Sequence, residues 1–440
     1  MTAVATAGRA VLLSGLTVGI GLVALIVLPV PAMRSVGVGG MLIPIVSVAV
    51  SLTLLPAVLG RIGPRVDWPK LRHEDHASRG WTAWTRFVIR HKWVAAGAAL
   101  AVLAVLIVPT FSLTTGETGA GALANKGPAR TAYDRLLAGG IPSGVLTPLE
   151  VLTRSDAAAA ARARLAAVPG IADTLASSAP DSNRDGTTVV IGIPTAQTAN
   201  SNTLAPVRAA TSALANEPGV VGVAGEGAIS VAYANAVLGN FPLMFGVIAA
   251  LTFVLLARAF RSIALALKAL VLNLLSLAAT FGVMTWFWQQ GHGSTTVFGI
   301  PATGAITFWL PLMIFAFLYG LSMDYEVFIL TRIREEYERT GSTTTALVEG
   351  LGRTGRLVTS AALILFLAFA SLASAPSTDI KVFATGLGVG ILLDATLIRA
   401  LLLPALVALL GRWNWWMPKL PARLLRVEPS VPVTETGAGA

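Results

Sequence analysis

The stretch GLSMDYEVFILTRIREE, Gly320 to Glu336, sets an acid beside a phenol, Asp324–Tyr325, among Phe315, Phe317, Leu318, Leu321, Val327 and Phe328. The run turns from apolar to charged at Arg332, eight residues after Asp324, which is about 12 Å of helix. If Arg332 marks the end of a membrane-spanning helix, the carboxyl group stands deep in the hydrocarbon. An ionised Asp at that depth costs at least ~2.5–3.5 kcal/mol, a cost that binding a proton removes. Such a group can load a proton from one side of a membrane and release it to the other when its surroundings change. Tyr325 brings a hydroxyl able to donate to a carboxylate. Helical neighbours point roughly 100° apart, so Tyr325 is expected to serve an acid on another helix. Gly320, one turn before Asp324, leaves room for a partner helix, and Tyr319 and Ser322 add hydroxyls.

The rival reading is a static pair, with Asp324 neutralised by Lys268 or Arg399. Asp394 and Arg399 fit better as each other's partners within the last span. Lys268, near the start of its span, is expected to snorkel to the interface. Intramembrane acids are functional by default, which favours the relay.

Helices must carry these residues across a membrane. The 440-residue chain is 55% hydrophobic and 12% charged, about half the charge of a soluble domain. Eight apolar runs, near 10–30, 37–59, 93–112, 241–257, 262–288, 306–331, 357–375 and 382–410, approach or exceed the ~20 residues that cross ~30 Å of hydrocarbon. With eight spans, the Arg- and Lys-rich loops around 60–92, 258–261, 332–356 and 412–426 fall on one side, while 289–305 has neither. That side is the cytoplasm, which puts 113–240 outside. Trp93, Trp286, Trp288, Trp309, Trp413, Trp415 and Trp416 lie near span ends, where an aromatic belt is expected. The N-terminal apolar run, ending in PVPA at Pro29–Ala32, imitates a signal peptide, but it is longer than the usual ~7–15-residue apolar core.

An internal repeat supports a true N-terminal span. AGRAVLLSGL from Ala7 resembles TGRLVTSAAL from Thr354, and TLLPAVLGR from Thr53 resembles LLLPALVALLGR from Leu401. The offsets are 347 and 348 residues. Parallel repeats of this kind typify transporters built from two like halves. The same offset places the counterpart of Asp324 before Met1. The repeat therefore implies the tail of one half followed by all of a second: a fragment, a split gene or a misplaced start.

Segment 113–240 alternates strand and helix patterns: strand at 145–153, helix at 156–168, strands at 171–176 and 187–195, helix at 205–217, strand at 218–225. The order βαββαβ is the ferredoxin-like arrangement. Residues 227–240 are expected to lead as a helix into the fourth span.

Several functions are excluded. No GxxxxGK[ST] phosphate loop, no GxSxG elbow and no convergent nucleophile, base or metal set occurs, so no enzyme activity, cofactor or metal is expected. No cysteine is present, which removes disulfides and thiolate metal sites. HEDH at His73–His76 reads as a solvated loop for want of further ligands. GLGVG at Gly386–Gly390 reads as close helix packing. The net charge of +10 is accounted for by basic membrane flanks, not by a nucleic-acid surface.

Gly320–Glu336 resembles the signature of the MMPL exporters of the resistance–nodulation–division superfamily. Ala5–Val18 resembles that family's fifth span and Asp394–Arg399 its last. The resemblance implies a polytopic α-helical membrane protein of about eight spans with an extracytoplasmic α+β ferredoxin-like porter domain, lacking spans one to four and the first porter domain. On it, 1–59 are the last two spans of the first repeat, 60–92 a cytoplasmic basic linker and 93–112 a span. Residues 113–240 are the porter-like domain, 241–410 a five-span membrane domain and 411–440 a cytoplasmic tail, disordered at its end. It also implies export of lipids or other hydrophobic compounds driven by proton influx, with Asp324 and Tyr325 as one of two Asp–Tyr pairs, each acid meeting the other helix's phenol. The implied partners are protons, membrane lipids, a hydrophobic substrate and a separate first-half chain. The alternative is a non-transporting remnant or accessory membrane subunit whose outer domain binds a partner.

Overall fold

The computed structural model describes residues 2–63, 77–123, 126–176 and 182–429. HEDH and the end of the tail lie outside the described residues. In chain order come α1 (Thr2–Val27), α2 (Pro31–Leu52), α3 (Leu54–Ile62), α4 (Arg79–Arg90), α5 (Lys92–Ile107), α6 (Ala120–Leu123) and α7 (Gly127–Ala138). There follow β1 (Leu149–Arg154), α8 (Ala158–Ala166), β2 (Ile171–Ala176), β3 (Asn183–Arg184), β4 (Thr187–Pro194), α9 (Ala205–Leu214) and β5 (Val220–Ala224). Then come α10 (Glu226–Phe260), α11 (Ile263–Met284), α12 (Ser294–Phe298), α13 (Trp309–Thr340), α14 (Thr343–Leu372) and α15 (Thr378–Leu393). A π-helical stretch, Asp394–Leu402, leads into α16 (Leu403–Leu410) and, later, α17 (Lys419–Leu425).

Among the described residues, seven helical segments are long and apolar enough to cross a membrane. They begin at Pro31, Lys92, Glu226, Ile263, Trp309, Thr343 and Thr378, one fewer than the eight expected; in α1 the apolar stretch is shorter, Gly15–Val27. The expected linker 60–92 contains the helix α4, and the expected tail contains α17 and a 3-10 turn, Gly411–Trp415.

The chain divides into two compact units. One comprises Met1–Thr110, Phe241–Val283 and Leu312–Ala440. Its central helix is α13: 72% of its apolar window is buried, against 17% for α14. Small residues let helices close on α13. A Cβ on Gly320 would lie 3.2 Å from the Cα of Val18 in α1, and one on Gly390 of α15 would lie 2.4 Å from Leu318. Part of the GLGVG run is thus a notch for α13. Ser342 caps α14, its hydroxyl accepting from the Thr345 amide at 3.3 Å, as N-cap side chains do.

The second unit comprises Phe111–Asn240 and Met284–Pro311. Ile306 pairs with Thr115, and the Gln289 side chain accepts from the Thr114 amide at 2.8 Å. The sheet runs β2-β4-β1-β5, with β3 beside β4 and all pairs antiparallel. Along β1 the burial alternates, Leu149, Val151 and Thr153 in, Glu150, Leu152 and Arg154 out, the period-2 pattern of a strand with one covered face. Leu165 of α8, Val207 and Leu214 of α9 and Val190 of β4 join the buried set in that core. Val145 and Leu146, expected as strand, form a 3-10 turn. Between β3 and β4 the chain closes as a two-residue hairpin at Asp185–Gly186, both with positive φ, the turn that matches strand twist.

The tryptophans divide. Trp93, Trp286, Trp413 and Trp416 are exposed, as a belt requires, but Trp288 and Trp415 are fully buried. Trp415 stacks on Tyr337 at 3.9 Å and donates to Thr343 at 3.0 Å, so it is a packing residue.

Candidate functional site

The central helix α13 presents three chemically different sides. Phe317, Leu321, Asp324, Tyr325 and Phe328 form a half-buried stripe, while Met323, Glu326, Val327, Ile329 and Leu330 around them are buried. Asp324 shares a side with Gly320, one turn earlier, where α1 closes in.

Tyr325 faces a different neighbour. The guanidinium of Arg399 lies 5.0 Å from its ring centroid, within cation–π reach. Arg399 forms an ion pair with Asp394, and both side chains are buried. The same guanidinium donates to the Ser322 carbonyl and, at 3.2 Å, to the Ser322 hydroxyl. The π-helical backbone makes this pair geometrically available. Residues five apart on an α-helix stand roughly 140° from each other, whereas i→i+5 hydrogen bonding brings them nearly into line. A cavity of about 10 Å³ opens among Leu318, Leu321, Ser322, Tyr325, Ala362, Ile391, Asp394, Ala395 and Arg399, roughly the space of one water.

The third side holds residues that sequence reasoning missed. Glu326, two residues after Asp324 in the apolar part of the run, is 3% exposed. One carboxylate oxygen accepts from Asn273 of α11 at 2.8 Å; the other has no hydrogen-bond partner. Ser322 donates to the Asn273 carbonyl oxygen. A continuous polar path therefore runs Glu326–Asn273–Ser322–Arg399–Asp394. Lys268 of α11 is buried rather than snorkelling. Its ammonium donates to Asn414 at 2.5 Å and acts electrostatically on Glu326. Formally, two acids, Glu326 and Asp394, share this interior with two bases, Arg399 and Lys268. Burying charge in balanced, hydrogen-bonded sets limits the several kcal/mol desolvation penalty per ion. Arg399 is therefore engaged by Asp394, and Lys268 by Asn414.

Tyr319 stands away from Asp324. It is buried against Phe315 at 5.5 Å between centroids, with its hydroxyl toward Thr252 of α10 but outside hydrogen-bonding geometry. The structure thus gathers Tyr325, Ser322, Asp394 and Arg399 in one place, sets Gly320 and Asp324 on an adjoining side, and turns Tyr319 elsewhere. The sequence signal for Glu326's surroundings is a polar residue inside the apolar run of α11, Asn273. Among the described residues no group of three or more metal-ligating side chains occurs.

The chain matches the sequence profile described as "MMPL family" over residues 1–93 and 153–427. It is 33% identical over 452 residues to "Heme uptake protein MmpL11" of Mycobacterium tuberculosis, an alignment covering 98% of this chain and 46% of that protein. It is 32% identical over 451 residues to "Mycolic acid-containing lipids exporter MmpL11" of Mycolicibacterium smegmatis, covering 96% of this chain and 46% of the relative. This chain spans about half the length of the curated relatives it matches. Among solved structures, a heavy metal efflux pump aligns with a TM-score of 0.54 at 14% identity, over 91% of this chain and 58% of that one, which is a likeness of fold.

Proposed function

The chain belongs to the MMPL family and is a multi-pass cell membrane protein, and from that premise we propose that it takes part in proton-driven export of lipids or other hydrophobic compounds. Asp324 carries the proton. Tyr325 orients and stabilises a partner acid supplied by a helix of a first-half chain, which covers the half-buried stripe of α13. The Asp394–Arg399 pair holds Tyr325 from behind through the cation–π contact and fixes the α13 backbone at Ser322. Protonation of Asp324 shifts the balance between two packings of the membrane helices, which requires only that the two bind the proton with different affinity.

The observation that carries this reading is the polar interior of α13: beside Asp324, Glu326 is held by Asn273 of α11 and Tyr325 by Arg399 of the π-helical stretch. Static stabilisation alone is a poor explanation of such a set, since buried ion pairs often contribute less than apolar packing of the same volume. The sheet order β2-β4-β1-β5 supports a ferredoxin-like porter domain through which substrate would pass, and the basic loops on the other side of the spans favour its lying outside the cytoplasm. The relatives are named for heme uptake and for lipid export, and both cargoes are hydrophobic. The role is transport rather than catalysis.

The test is export of a fluorescent lipid from proteoliposomes under an imposed proton gradient, with this chain alone and with a first-half chain. The reading expects export that stops when a protonophore collapses the gradient. Export indifferent to the gradient removes proton coupling. No export in either arm favours the accessory-subunit alternative.

A further inference from the structure

We propose that the exposed side of α4 is a docking surface for the anionic headgroup layer of the membrane in which the chain sits. The other side of α4 is fixed to α14. A Cβ on Gly355 would stand 2.3 Å from the Trp81 ring, and one on Gly352 would stand 2.8 Å from the Thr82 hydroxyl. The Ser78 amide donates to the Gly352 carbonyl at 2.8 Å. Thr85 and Val88 are buried.

The outward side carries a ladder of rings. Trp84 is 42% exposed and Phe87 54%. Their centroids lie 5.8 Å apart, and His91 follows Phe87 at 4.8 Å. The Trp84 indole donates to the Ala400 carbonyl at 2.7 Å, which fixes the ring without covering it. Arg79, Arg86 and Arg90 are exposed on the same helix, and no Asp or Glu occurs from Ala77 through Gly116. An exposed apolar ridge of this kind marks an interaction surface.

Charge and connectivity select the occupant. One residue, His91, separates α4 from α5, which begins the span Lys92–Ser112. The end of α4 is therefore held at the membrane–water boundary. Aromatic rings beside arginines suit that boundary, and the arginines of a helix that carries no acid of its own complement the negative potential of a cytoplasmic leaflet. A soluble protein partner would need an acidic surface brought to the same place; the headgroup layer is already there.

The experiment is hydrogen exchange of the full chain in nanodiscs of phosphatidylcholine alone and of phosphatidylcholine with phosphatidylglycerol, read at Arg79–Arg90. Each arginine near an anionic surface contributes about 1 kcal/mol, so two of them slow exchange roughly thirty-fold with the anionic lipid. Arg86→Gln with Arg90→Gln should remove that difference, and Arg86→Lys with Arg90→Lys should keep it. Unchanged exchange in α14 shows that the variants are folded. Equal protection in both bilayers overturns the proposal, as does a lipid dependence that survives the double Gln variant. The wild-type comparison decides the matter even if a variant fails to fold.

Discussion

Arg399 serves two acids through one guanidinium, pairing with Asp394 and bracing Ser322, which reaches Glu326 through Asn273. Removing it leaves Asp394 buried without its counter-charge. Arg399→Gln is expected to lower stability by about 3–5 kcal/mol, measured by denaturant unfolding in detergent. Adding Asp394→Asn should restore part of the loss, because the charge left alone is then gone. A double variant as unstable as the sum of the two singles would show that the pair is not coupled. Glu326→Leu should cost about 1–3 kcal/mol by orphaning the Asn273 amide, and Glu326→Gln, which keeps an acceptor, should cost less. At this scale the sequence disclosed what lies close along the chain. The Asp394–Arg399 pair is legible because acid and base stand five residues apart in one helical run. Glu326–Asn273 is not, because 53 residues separate them and only tertiary packing joins them. Lys268 was misread for the same reason: its partner Asn414 is 146 residues away.

Helix contacts at α13 depend on side chains that are absent. A Cβ on Gly320 already sits tightly against Val18, so Gly320→Leu is expected to drive α1 from α13. The cost should be about 1–3 kcal/mol, seen as a lower midpoint of thermal unfolding, while Gly60→Leu, which meets nothing within 4 Å, should leave the midpoint near wild type. In the sheet unit, Gly186 has φ +74°, and Gly186→Val should destabilise the β3–β4 hairpin by about 1–2 kcal/mol. Amide exchange of β3 would report it. Spans were legible because hydropathy over twenty residues is a strong signal. The alternation in 187–195 and the helices at 156–168 and 205–217 were legible from period alone. The π-helical stretch was not, since DATLIRALL reads as ordinary helix and only packing selects the wider turn. Nor was α4, whose aromatic and basic residues read as linker until α14 gave them a side to bury.

At the scale of the whole molecule, the proposal of a first-half partner places a second set of helices beside α13, along the half-buried Phe317 and Phe328. Cysteines placed at Phe317 and Phe328 are expected to cross-link to a co-expressed first-half chain and to be protected from a lipid-soluble thiol reagent in its presence. The grouping of 284–311 with the sheet unit was not legible, because a loop without charges carries no mark of what it packs on. Proton coupling through Asp324 is the claim on which the functional account stands. Its most direct test is proton uptake, followed with an entrapped pH-sensitive dye, during lipid export by proteoliposomes holding this chain and a first-half partner. The account predicts that Asp324→Asn inserts normally and loses both proton uptake and export. An Asn variant that exports and takes up protons at the wild-type rate would contradict it.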